Sequence, residues 1–174
     1  GCYYLTMIHE GTKGAGKVFT DVDEALMAYA TGELALEAPC KIRMKKTIDG
    51  EEYSRLVETT IGRVIFNQAI PQDMGMQKRE TVDDMFKLEI DEVVGKKQLA
   101  KIVDTCYRTH GVTTTANMLD DIKALGYSYS TRAALTVSVA DITVPEEKKQ
   151  ILADADAQVR QIEKQFKRGR MSEN

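Results

Sequence analysis

The sequence predicts an α+β chain, mainly helical, with a small β-hairpin or sheet region and a long protruding C-terminal helix. Three observations lead there. Apolar residues recur at spacings of three and four after Thr20, Thr60, Gly95 and Thr113, as on one face of a helix. Between Cys40 and Thr60 the period drops to two. The last third runs from small, hydroxyl and β-branched residues (127–144) through Pro145 into a charged stretch with a single apolar stripe.

Residues 1–9 (GCYYLTMIH) are apolar and suit the end of a strand or helix begun upstream; GTKGAGK (11–17) is a Gly-rich loop. Thr20 is placed to cap a helix, with Asp23 three residues on, Val22, Leu26, Tyr29 and Ala30 at helical spacing, and Gly32 as its stop. Ile42, Met44 and Ile48 alternate with Lys and Arg, and Asp49–Gly50 marks the tip of a hairpin that returns through Tyr53 to Val57. Thr60 opens a second helix (Ile61, Val64, Ile65, Ala69) that Pro71 ends. Residues 72–94 show no strong period and read as a loop with a short β segment.

Gly95 precedes a third helix carrying Leu99, Ile102, Val103, Cys106 and Tyr107, and Gly111 closes it. Thr113 or Thr114 caps a fourth, with Met118, Leu119 and Ile122 inward and Gly126 at its end. Neither helix has the Arg/Asn/Gln face that base reading requires. The final helix starts at Pro145, with Glu146 and Glu147 at the positive end of its dipole. Its stripe of Ile151 or Leu152, Ala155, Val159, Ile162 and Phe166 suits antiparallel pairing along roughly 35 Å. Nothing after it covers the stripe, and the opening Gly-Cys-Tyr-Tyr reads as mid-protein sequence; a piece of something larger is expected.

The chain of 174 residues is 43% hydrophobic and 29% charged, ordinary values for a globular protein. Lys plus Arg is 24 and Asp plus Glu 27, a net charge of −3, which argues against a surface that grips nucleic acid all over. Local charge remains: Lys164, Lys167, Arg168 and Arg170 form a basic cluster, and residues 80–92 hold six acids and one Lys. Cys2, Cys40 and Cys106 are odd in number and far apart, which supports neither a disulfide framework nor a zinc site and fits a reducing cytoplasm. No apolar run approaches the ~20 residues of a membrane span.

Catalytic chemistry is hard to find. GTKGAGK has the spacing of a phosphate loop, but Val18 stands where the magnesium-holding hydroxyl should be; a surface turn is the plainer reading. His9 and His110 lack catalytic or ligand partners at useful spacing, and the acidic run lacks the spacing of a calcium loop, which leaves solvated surface. Cys106 reads as a small buried hydrophobe. Arg132, after SYST and before small residues, must be paired in a buried turn or face a groove and a phosphate-bearing ligand; both readings stay open. No catalytic and no metal-ligating residue is assigned.

Four blocks carry a resemblance: TTIGRVIFNQAIP (59–71), GKKQLAKIVDTCYRTHG (95–111), GYSYSTR (126–132) and VADITVPEEKKQILADADAQVRQIEKQF (139–166). In order and spacing they resemble the largest (β′) subunit of bacterial DNA-directed RNA polymerase, and GCYYLT resembles the segment that follows its active-site motif. The resemblance implies the pore and funnel of the secondary channel. Residues 1–94 would be a pore-region segment with the hairpin and two helices, 95–138 a helical pore/funnel segment, and 139–174 the truncated first arm of the rim-helix hairpin.

It implies a part of a DNA-binding, cytoplasmic, nucleoid-associated nucleotidyltransferase active in transcription. Its partners would be the β, α and ω subunits, the rest of β′, and channel-binding factors of the Gre type. Nucleoside triphosphates and backtracked RNA would pass along it, and no membrane is involved. Mg²⁺ and a structural Zn²⁺ are expected elsewhere in the full subunit and no cofactor here, since the catalytic aspartates are absent. Lys96, Lys97 and Arg132 become channel-lining candidates, and Lys164, Lys167, Arg168 and Arg170 partner-docking candidates. The family positions that bind guanosine tetraphosphate in some bacteria are Thr113 and Ala124 here, with Asp120 the main retained match, so the resemblance does not bring that site. The rival reading is a stand-alone protein-binding module that pairs through its C-terminal helix.

Overall fold

The hairpin forms where the alternation placed it. In the computed structural model, which describes residues 1–134 and 136–170, β2 (Pro39–Ile48) and β3 (Glu51–Thr60) pair antiparallel, with Ile42 opposite Val57. Asp49 and Gly50 at the tip both have positive φ (52° and 85°), the geometry of the two-residue turn whose twist matches the strands. A short β1 (Val18–Phe19) adds parallel to β2, giving the order β1-β2-β3.

Four helices share the unit Gly1–Leu135 with this sheet: α1 (Cys2–Thr6), α2 (Val22–Ala30), α3 (Ile61–Gln68) and α4 (Lys96–Arg132). Its core joins Leu5, Leu34, Leu36, Ile42, Ile61 and Phe66 to Ile90, Ile102, Cys106, Met118 and Ile122. The unit is therefore α+β and mainly helical, as predicted. Gly11, Gly14 and Gly16 turn the GTKGAGK segment at positive φ, and a strand rather than a helix follows it. That removes the helix N-terminus on which a phosphate loop depends.

The α2 cap lies one residue beyond the expected Thr20. Asp21 is the cap and accepts from the Glu24 N–H, while the Glu24 carboxylate reaches back to the backbone and hydroxyl of Thr20. Those bonds hold Glu24 below its ordinary pKa. Thr60 caps α3 as expected, accepting from the Arg63 N–H.

Residues 72–94 contain no β segment. One turn of 3₁₀ helix (Asp83–Phe86) interrupts an irregular path held by side chains rather than by a ladder.

Gly111, at φ 76° and ψ −171°, breaks α4 into arms 96–110 and 112–132. Neither Thr113 nor Thr114 caps the second arm; the Thr115 hydroxyl instead donates to the Gly111 carbonyl (2.8 Å). Gly126 does not end that arm, which continues to Arg132. Its backbone is a contact point: a Cβ on Gly1 would collide with the Gly126 carbonyl, so α1 starts in backbone contact with the arm through the bare Gly1. A Cβ on Gly62 would collide with the Leu5 carbonyl, so α1 also lies directly on α3.

The second unit, Thr136–Asn174, contains a 3₁₀ turn (Val139–Asp141) closed by a Ser138–Asp141 capping box, and then α5 (Lys148–Lys167). The helix begins three residues after the expected Pro145, with Glu147 as its N-cap, and is about 30 Å long. None of this unit's described residues is buried, and Ile151, Leu152, Val159, Ile162 and Phe166 are all exposed.

Candidate functional site

The chemically richest part of the first unit is buried. Every residue of α3 from Ile61 to Asn67 is inaccessible, Arg63 and Asn67 included. A buried guanidinium is tolerated only with partners, and Arg63 has them: its Nε donates to the Thr6 carbonyl (3.0 Å) and an Nη to Asp91 (2.8 Å). The Asn67 amide donates to the Arg63 and Ile90 carbonyls and accepts from the Ile90 N–H. The Thr6 hydroxyl donates to the Cys2 carbonyl and accepts from the Val94 N–H. The end of α1, α3 and the irregular approach to α4 are thus joined through side chains.

A second network holds the irregular segment 72–94. Gln72 donates to the Asn67 backbone and side chain and accepts from the Glu89 N–H. Glu89 accepts from the Met76 N–H and pairs with Arg79 at 2.9 Å. Arg79 also donates to the Gln72 and Lys87 carbonyls. The acidic run is therefore not wholly solvated surface, because Glu89 is 1% exposed. The same segment reaches α4 through Asp73, whose carboxylate lies 2.9 Å from His110 Nε2 just before the Gly111 break.

These networks place the N-terminus of α4, where Lys96 and Lys97 stand exposed in a first turn without an acid. Cations at the positive end of a helix dipole cost a few tenths of a kcal/mol each, so this pair runs against local stability and projects positive charge outward. Arg132 ends the same helix. It is exposed rather than buried in a turn, with its guanidinium 5.0 Å from the Tyr129 ring centre. Burial, then the neighbouring Tyr29, pushes the Tyr129 hydroxyl up, and Arg132 opposes them. Among the described residues Arg132 pairs with no acid, and it lies at the opposite end of α4 from Lys96 and Lys97.

Lys164, Lys167, Arg168 and Arg170 are exposed at the end of α5, where cations suit the dipole. Among the described residues none of the four forms an ion pair.

Among the described residues no group of three His, Cys, Asp or Glu could hold a metal ion, and no helix is long and apolar enough to cross a membrane. Burial pushes the Cys40 thiol up to about 11, which makes it a poor nucleophile. Hydrogen bonds from Lys87, Thr81 and Glu80 hold Asp84 far below the usual carboxylate range, so it is no proton donor. The described surface can present fixed charge and shape.

Sequence reading passed over Arg63, Asn67, Arg79 and Glu89. The available signal was polar residues on an otherwise apolar helix, IGRVIFNQ, whose partners lie up to 57 residues away.

The family model described as RNA polymerase Rpb1, domain 3, matches residues 1–142. The chain is 49% identical over 173 residues to the DNA-directed RNA polymerase subunit beta' of Acetivibrio thermocellus and 51% identical over 173 residues to that of Thermoanaerobacter pseudethanolicus. It is also 51% identical over 174 residues to the subunit of Clostridium novyi. These alignments cover 99–100% of the chain and 15% of each relative, so the chain spans about one seventh of the length of the proteins it matches.

Proposed function

The chain belongs to the RNA polymerase Rpb1 domain 3 family, and on that premise we propose that it is the part of a β′ subunit that walls the polymerase's secondary channel. What supports the reading is identity of about one half along the whole chain to subunits of that name. Residues 1–94 and 95–138 form the pore and funnel, and 139–174 the first arm of the rim.

In this reading the wall acts through electrostatics. Triphosphates and the 3′ end of backtracked RNA are polyanions, and exposed cations along a narrow passage raise their local concentration and steer entry. Lys96 and Lys97, exposed in the first turn of α4, supply that charge at one end of the helix and Arg132 at the other. Lys164, Lys167, Arg168 and Arg170 dock factors of the Gre type. The β, α and ω subunits and the rest of β′ surround the segment in the cytoplasm, at the nucleoid. Bond formation belongs to the magnesium-bearing aspartates elsewhere in the subunit, where the structural zinc also resides, and this stretch alone makes no RNA.

Site-directed crosslinking in the assembled polymerase tests the proposal. A photoreactive residue at position 96, 97 or 132 should capture the RNA 3′ end in a backtracked complex and lose it when the RNA is returned to register. Position 52 on the hairpin should capture none. Equal labelling at position 52, or no RNA at all three wall positions, overturns the assignment.

A further inference from the structure

β2 breaks its own pattern. Its inward row runs Cys40, Ile42, Met44, Lys46, Ile48, so a lysine stands where the alternation calls for an apolar residue. Lys46 is half-buried, donates one N–H to the Met85 carbonyl (2.6 Å) and lies 5.9 Å from the Phe86 ring centre. No carboxylate among the described residues comes within ion-pair distance of it. Burial and the nearby positive charge of Arg79 both work against its protonated state. It is an under-compensated cation on an inward face.

Lys46 borders a groove of about 330 Å³ between the sheet, α3 and the segment 72–94. Met44, Val64, Ile70, Phe86 and Leu88 give it apolar walls. Of the amides that line it, Asn67 and Gln72 are consumed by the networks above. Gln68 is exposed and makes no hydrogen bond to the described residues. A preformed apolar groove with few free polar groups is the usual form of a small-molecule site, and this volume sits at the small end of such sites.

We propose that this groove binds a small amphipathic carboxylate, an aryl or branched aliphatic acid whose single negative charge meets Lys46 and Gln68 while its apolar body lies against Met44, Val64 and Leu88. One cation with two N–H donors left matches one carboxylate; a phosphate dianion would remain half-neutralised. The site is independent of the channel-wall assignment, because Lys96, Lys97 and Arg132 do not line it.

Calorimetric titration of the intact protein carrying this chain with 3-phenylpropionate tests the site, with 3-phenylpropanamide as neutral control. The acid should bind saturably, and Lys46→Met should weaken it about tenfold. Leu88→Trp, which keeps the lysine and fills the groove, should weaken it by at least as much. Unchanged circular dichroism in at least one of the two variants secures the comparison. No saturable binding of the acid, a loss below fivefold in a folded variant, or equal binding of the neutral amide overturns the proposal.

Discussion

The two units of this chain carry similar apolar patterning and do opposite things with it. In Gly1–Leu135 the apolar residues of α3 and α4 join one buried core, and Ile61, Phe66, Ile102 and Cys106 are 0–1% exposed. In the second unit Ile151, Leu152, Val159, Ile162 and Phe166 are 46–64% exposed along a helix of equal regularity. Periodicity states which face of a helix seeks burial; it does not supply the partner. What separates the two, among the described residues, is a set of devices found in the first unit, namely glycines at backbone contacts and buried polar staples.

The largest predicted effect breaks the first device. Gly62→Ala places a methyl against the Leu5 carbonyl and the Leu36 backbone, atoms that cannot yield without moving α1 off α3. The loss should be about 3 kcal/mol or more, read as a fall in the urea midpoint of the first unit. Gly126→Ala is the counter-case. Its new methyl would meet only the Cys2 sulfur at 3.7 Å, an ordinary contact, and alanine favours the helix by up to about 1 kcal/mol. If both variants cost the same, close backbone approach is not what holds α1.

A smaller effect comes from Cys40, 1% exposed on the inward row of β2. Its thiol sits near 9 when unfolded and is pushed up to about 11 by burial. The folded state therefore keeps a proton that the unfolded chain gives up between pH 9 and 11. The associated stability is complete below pH 9 and is lost as pH rises through 11. From pH 8 to pH 10 the wild type should lose about 1 kcal/mol relative to Cys40→Ala. Lys46 pushes the opposite way, because its depressed pKa makes deprotonation favour the folded state as pH rises. The difference between wild type and Cys40→Ala cancels that term, and a flat difference across this range would show a thiol that is not buried.

Legibility in the sequence followed the range of the interactions. Asp49–Gly50 and the alternation on either side specify the hairpin within twenty residues, and Thr60 specifies the start of α3 within four. The segment 72–94 is the loop its lack of period suggests but holds no β segment, because its order comes from Asn67, Gln72, Arg79 and Glu89, side chains whose pairings no local period reveals. Gly126 reads as a helix stop on propensity alone, and becomes a contact point once α1 is seen to cross it. Of the two readings open for Arg132, the buried turn falls away, because the second arm of α4 carries it to an exposed end beside Tyr129. The charged candidates were legible as charges, and their exposure followed, but the networks that tie the approach to α4 as far as Val94 were not.

The smallest predicted effect sharpens the comparison most. Ile102 and Ile162 occupy equivalent stripe positions on regular helices, one 1% and the other 53% exposed. Ile102→Ala should cost about 3 kcal/mol, because it removes methyl groups from a packed core and leaves a cavity. Ile162→Ala should cost under about 0.5 kcal/mol, because its side chain leaves water only in part and alanine compensates through helix propensity. Amide exchange should follow the same division, with α5 opening locally and the 96–110 arm only with its whole unit. A cost at Ile162 approaching that at Ile102 would mean that the stripe is covered in solution. The opposition between the units would then reflect a missing neighbour rather than a property of α5. Repeating the pair of substitutions in the assembled polymerase separates these cases, since a covered stripe raises the Ile162 cost there and leaves the Ile102 cost unchanged.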